Sequence, residues 1–247
     1  MLIAGLSTRI SYAMISTYQS VVSTITAIGY PRLARLSDAE LSAVVAPLGL
    51  QSARVKFCRS LMMFIDGLRR RNVSVETASN DELINLIQRE VHGAGYKVAQ
   101  CCVLYAKGYH CGAIPVDSGM RDKLSLCLGF RVARTPFGHE QMRKQLEALV
   151  SQIDCRAIAE HTGYGHLDFP MDRPLTWWVH LVLIYYKRRY CNRPLPQQCP
   201  LRSEPGSEIR GPCTLHRDRH REETVRRKAE FIEPIPRFTQ LWVHSLP

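Results

Sequence analysis

Val91-His92-Gly93-Ala94-Gly95-Tyr96-Lys97-Val98-Ala99-Gln100-Cys101-Cys102 is the stretch on which the fold turns. Apolar residues at helical spacing run up to it and resume after it, while two glycines one residue apart interrupt them. The pattern predicts a helix, a tight turn and a second helix. Gly93 and Gly95 let the backbone adopt positive φ and bring the N–H groups of the turn, from Gly93 through Ala94 to Gly95, close to an anion at the start of the following helix. A nucleic-acid phosphate is the natural ligand for such a turn.

Outward from this hairpin the chain reads as helix after helix as far as about Tyr190, and no segment sustains the alternation of a strand, so the expected class is all-α. A first helix is expected over Leu2 to Ala27, ending at Gly29 and Pro31. Ser37 followed by Glu40 forms a capping box for the next helix, which Gly49 closes. Further helices are expected over Ser52 to Leu68, then from a second capping box at Ser79 and Glu82 to Val91, and from Lys97 to Lys107. Beyond a loop from Gly108 to Pro115, Asp117 occupies an N-cap position for a helix that Gly129 stops. Helices over Gly138 to Ile153 and Pro174 to Tyr190 follow, and one short helix, Arg221 to Phe231, is expected in the tail. From Asn192 onward Pro, Gly, Ser and Arg dominate, so an ordered core is expected to end near Pro200.

A length of 247 residues suffices for a substantial core. The longest apolar stretch, near Leu175 to Tyr186, is shorter than the roughly 20 residues that span a bilayer, and it ends in Lys187, Arg188 and Arg189. Met1 to Leu6 lack the basic segment and cleavage pattern of a secretory signal, so an intracellular location is expected. The net charge of +11 and pI near 9.4 favour a polyanionic partner. Residues 187–228 hold twelve Lys or Arg against five acids and read equally well as a solvated basic tail. Nine cysteines in such a chain read as reduced thiols or a metal site. Cys58, Cys101, Cys102 and Cys127 fall inside apolar helical patterns, as small hydrophobes do.

The hairpin, together with Ile114-Pro115-Val116-Asp117-Ser118-Gly119 downstream, resembles the helix-hairpin-helix DNA glycosylases of the endonuclease III superfamily. Those proteins share L-P-G-V-G-x-K-[TV]-A followed some twenty residues later by V-D-[TV]-H. Gly93, Gly95, Lys97 and Ala99 match the first element, and Val116 with Asp117 match the second. Leu2-Ile3-Ala4-Gly5-Leu6-Ser7 is similar to the family's first barrel helix, and Gly49-Leu50 with Ala53 and Lys56 to its G-L-x-x-x-K-A region, so the resemblance spans about residues 1–200.

The resemblance implies a helical barrel over 1–112, a second helical lobe over 113–200 and a basic tail over 201–247, with duplex DNA crossing the cleft between the two lobes, in a monomer that acts wherever the cell keeps its DNA. It implies removal of an oxidised or mismatched base, followed by strand nicking. Asp117 would be the carboxylate that stabilises positive charge developing on the sugar, and Lys97 the amine that attacks C1′ and forms a Schiff base. The base must first be flipped out of the stack. Gly93, Ala94 and Gly95 would hold the adjacent backbone, Arg54 and Lys56 would contact phosphate, and Arg9 would fill the gap left by the flipped base. Trp177, Trp178, Tyr185 and Tyr186 read as core rather than as stacking platforms. Two alternatives stand beside this: a monofunctional adenine-type mismatch glycosylase in which Lys97 is a bystander, and a hairpin DNA-binding protein without catalysis.

The chain departs from the family in four places. His92 stands where the hairpin has proline, and Gly119 follows Val-Asp-Ser where many relatives have His and a branched residue. The glycine is similar to the L-D-G-N of the adenine branch, whereas Lys97-Val98-Ala99-Gln100-Cys101 is similar to the 8-oxoguanine branch. Many relatives bind a [4Fe–4S] cluster through C-x6-C-x2-C-x5-C. This chain has only Cys191, Cys199 and Cys213 in that region; depending on the register, Pro196 or Arg202 occupies a ligand position. A degenerate loop without a cluster is expected, the alternatives being a cluster completed by His216 or zinc at the same cysteines. The family also has a helix ahead of the one that starts at Leu2, and the basic tail, a partner chain or an upstream start codon would each account for the surface it covers.

Overall fold

The computed structural model describes residues 1–161, 163 and 175–191, and among these every regular element is helical. The chain divides into two units, Met1–Ala113 and Ile114–Pro247. In the first, α1 (Leu2–Leu6) and a 3₁₀ turn (Tyr12–Met14) lead to α2 (Ile15–Ile28), α3 (Tyr30–Leu33), α4 (Asp38–Val45), α5 (Gln51–Arg70), α6 (Asn80–Glu90) and α7 (Tyr96–Lys107).

Local chemistry sets several of these boundaries. Ser37 Oγ accepts from Glu40 N–H while the Glu40 carboxylate accepts from Ser37 N–H, the reciprocal capping box that opens α4. Ser79 Oγ accepts from Glu82 N–H at the start of α6. The uninterrupted first helix does not form. Ser7 and Thr8 turn their hydroxyls back to the Ala4 and Gly5 carbonyls at 2.8 and 2.6 Å, competing with the helical ladder, and Arg9 follows in the left-handed region at φ 58°.

Arg54, on α5, secures that break. Its Nε donates to Gly49 O at 2.8 Å, Nη1 to Leu6 O at 2.8 Å and Gly5 O at 3.4 Å, and Nη2 to Thr8 O at 3.1 Å and Leu48 O at 3.2 Å. The five N–H groups of the guanidinium are matched by five carbonyls, among them those that the end of α1 leaves without a helical partner. The side chain is 4% exposed. Arg54 is therefore withdrawn from any phosphate contact, contrary to the expectation from sequence.

The core of the first unit lies between α5, α6 and α7, with α1 against α5 and α7. Leu61, Leu83, Ile84, Ile87, Ala99, Cys102 and Val103 are fully buried. Burial pushes the Cys58 thiol up to about 11 and the Cys102 thiol up to about 12, so both stay protonated and serve as packing groups.

In the second unit a π-helical turn (Met120–Leu124) runs into α8 (Ser125–Cys127), followed by α9 (Gly138–Val150), α10 (Cys155–His161) and α11 (Thr176–Tyr186), which continues as a second π-helical turn (Lys187–Cys191). Ile114, Val116, Met120, Leu124, Met142, Leu146 and Trp178 form its apolar cluster, with Trp177 and Tyr186 packed against it. Inside it Arg143 pairs with Glu140 and with Glu147 on the same face of α9. Cys199, Cys213, His216 and the helix expected over Arg221 to Phe231 lie outside the described residues.

Candidate functional site

The hairpin closes where α6 ends at Val91. Gly93 has φ +75° and Ala94 N–H returns to Val91 O at 3.1 Å, completing the turn, after which Gly95 caps α7. His92 N–H donates to Ser60 Oγ at 2.8 Å, and that hydroxyl donates to Glu90 O at 3.2 Å. A proline at 92 would have no N–H to make this bond, so His92 carries a tether between hairpin and α5. Ala94 is 3% exposed and its N–H is engaged in the turn; it plugs the hairpin into the core and is not a phosphate contact, which corrects the expectation for that residue.

Gly93 and Gly95 are both exposed, and no atom lies within 4 Å of where a Cβ would sit on either. Only Gly93 needs to be glycine for its backbone. Gly93→Ala should cost about 1–2 kcal/mol in thermal unfolding, whereas Gly95→Ala, at φ −65°, should cost less than about 1 kcal/mol. Both should weaken duplex binding about tenfold in a fluorescence-anisotropy titration if the hairpin seats a phosphate; equal affinity for wild type and Gly95→Ala would remove the hairpin from the interface.

Lys97, in the first turn of α7, is half-buried. Lys56 and Arg9 are exposed. Lys56 shares a groove of about 720 Å³ with His92 of the hairpin, lined also by Arg59, Arg70, Arg71, Asp38 and Glu90. Arg59 pairs with Asp38 at 2.7 Å and Arg71 with Glu90 at 2.8 Å, while Lys56 is exposed in the same groove as His92.

Asp117 is built differently. The segment leading to it is buried and has no strand to pair with, so its polar groups bond to side chains. Glu147 accepts Ile114 N–H at 2.9 Å. His180 Nδ1–H donates to Pro115 O at 2.5 Å and His139 Nδ1–H to Val116 O at 2.7 Å. Since a carbonyl only accepts, each ring carries its proton on Nδ1. Two histidines from α11 and α9 thus hold the two residues that deliver Asp117. Its Oδ1 then accepts Met120 N–H at 2.7 Å, as expected of an N-cap, while Oδ2 receives Lys187 Nζ.

Burial pushes the Asp117 carboxyl up, but the Lys187 charge and hydrogen bond, the Met120 N–H and the His180 charge outweigh it and hold the group below the usual carboxylate range. The result is a carboxylate at neutral pH, fixed at both oxygens and still 23% exposed in its side chain. Lys187, His139 and His180 were not legible as site residues in the sequence. Lys187 reads there as the first residue of a basic, solvated segment, yet its side chain is 9% exposed.

Of the three candidate cluster cysteines, Cys191 is described: it is 8% exposed among the apolar residues of the second unit, and its carbonyl accepts Lys123 Nζ at 3.3 Å. Among the described residues no three His, Cys, Asp or Glu side chains are grouped to hold a metal. No described helix is long and apolar enough to cross a membrane. Comparison with protein-family models, curated proteins and solved structures finds no match to this chain.

Proposed function

We propose that this protein is a helix-hairpin-helix DNA glycosylase with strand-nicking activity, acting on an oxidised or mismatched base in duplex DNA. The observation that carries the reading is Asp117, a carboxylate kept ionised in a largely buried place and delivered by an anchored segment, in a chain that carries Lys97 two residues after its glycine hairpin. An N-glycosidic bond breaks as the electron pair leaves with the base and positive charge grows on the sugar. A fixed carboxylate stabilises that charge without having to reorganise. The Lys97 amine, once deprotonated, forms a bond to C1′; ring opening gives a Schiff base, and loss of a C2′ proton expels the 3′ phosphate. The exposed hairpin glycines and Lys56 suit a phosphate backbone, and the net charge of +11 suits a polyanion.

A second reading is favoured by Gly119, the residue similar to the adenine-specific branch: a monofunctional mismatch glycosylase in which Asp117 acts with water and Lys97 does not react. The two are separated by incubating the protein with duplexes carrying 8-oxoguanine, oxidised pyrimidines or adenine opposite 8-oxoguanine. Base release accompanied by nicking supports the first reading, and base release that leaves an intact abasic strand supports the second. Duplex binding with neither activity on the panel points to a DNA-binding protein without catalysis.

A further inference from the structure

Asp117 does not stand alone. Lys187, the C-cap of α11 and first residue of the π-helical turn that continues it, lies seven residues after His180, so one continuous helical segment supplies both the histidine that holds Pro115 and the ammonium on Asp117 Oδ2. The approach depends on Gly119. A Cβ there would lie 2.6 Å from Lys187 Cδ and 2.7 Å from Nζ, so the lysine stem occupies the volume a side chain at 119 would need. Gly119 has φ −72° and ψ −31°, a conformation open to any residue, which leaves room for Lys187 as the structural reason for glycine.

We propose that Lys187 is the positioning residue of the Asp117 carboxylate: seated over Gly119, its ammonium fixes Oδ2, as Met120 N–H fixes Oδ1. The inference rests on the role proposed above for Asp117. Among the described residues, Lys187 and His180 are the charged or titratable groups that act on this carboxylate, and Lys187 has the larger influence of the two. Removing Lys187 leaves burial, which raises the carboxyl, opposed among the described residues by Met120 N–H and His180. The sign follows. With Lys187 in place the folded-state value is depressed, and the stabilisation is present above the unfolded value of roughly 3.9 and lost as pH falls through the folded one. Without it the folded-state value rises, and the acid limb of any activity that needs the carboxylate moves to higher pH.

The test is a carbon-13 NMR titration of the aspartate carboxyls in the full chain, with the Asp117 signal identified by its loss in Asp117→Asn. The midpoint is expected to rise by about one pH unit or more in Lys187→Met and to return toward the wild-type value in Lys187→Arg. Gly119→Ala, which displaces the ammonium while keeping every charged residue, should move it in the same direction and serves if Lys187→Met does not fold. Single-turnover base release should fall about tenfold or more at pH 7 in Lys187→Met with duplex affinity unchanged, and its acid limb should follow the shifted midpoint. An unchanged midpoint in both Lys187→Met and Gly119→Ala overturns the proposal. So does a shifted midpoint with an unshifted pH–rate profile. A wild-type chain that titrates as expected yet releases no base leaves the pairing of the two residues standing and overturns the enzymatic reading instead.

Discussion

Asp117→Asn should lower the single-turnover rate of base release by about 10²–10⁴-fold while duplex affinity stays within a few-fold of wild type. Asparagine keeps the side-chain carbonyl that accepts Met120 N–H, and it is as good an N-cap as aspartate. What it removes is the negative charge. Lys187, 9% exposed in its side chain, is then left without its counter-ion, and breaking a pair this buried costs on the order of 3 kcal/mol. The variant should accordingly show a lower unfolding midpoint in urea. The loss of rate must be read below the temperature at which the variant begins to melt. A rate within tenfold of wild type, with the variant folded, would remove Asp117 from the chemistry.

The largest expected effect on stability belongs to Arg54→Ala. Its five hydrogen bonds close the end of α1 and the turn at Leu48 and Gly49, and alanine leaves several of those carbonyls with no donor in a buried place, at about 1–3 kcal/mol for each that water does not reach. A total near 4 kcal/mol lies at the extreme of single substitutions and corresponds to a fall of roughly 8–16 °C in Tm for a chain of this size. Arg54→Lys should recover little, since an ammonium cannot reproduce the guanidinium fork. If Arg54 instead served as a surface phosphate contact, alanine would leave Tm unchanged and weaken duplex binding, particularly at low salt.

Sequence and structure meet where the determining chemistry is local. Ser37 with Glu40, Gly93 in its turn and Asp117 with Met120 are each settled within four residues, so each is legible in the chain itself. The all-helical class follows in the same way from apolar spacing. The break after Leu6 is not legible, because the groups that stabilise it come from Arg54 on α5, and the amphipathic pattern alone carries an uninterrupted helix through Ser7 and Thr8. The surroundings of Asp117 were hidden for the same reason. His139, His180 and Lys187 lie on two other helices, and their polar side chains do not announce that they face inward. Lys187 in particular adjoins Arg188 and Arg189, and only the fold distinguishes a buried partner from two surface cations. Gly119 was its one trace in the sequence: a small residue beside the aspartate, where the side chain it lacks would have met Lys187.

Borohydride trapping decides whether Lys97 is the amine nucleophile of the proposed reaction. The protein is incubated with an abasic duplex and with the lesion panel in the presence of borohydride, and the covalent adduct is mapped by peptide mass spectrometry. A single adduct on Lys97, lost in Lys97→Ala, is expected. No adduct on any duplex, or an adduct on Lys187 that persists in Lys97→Ala, would contradict it.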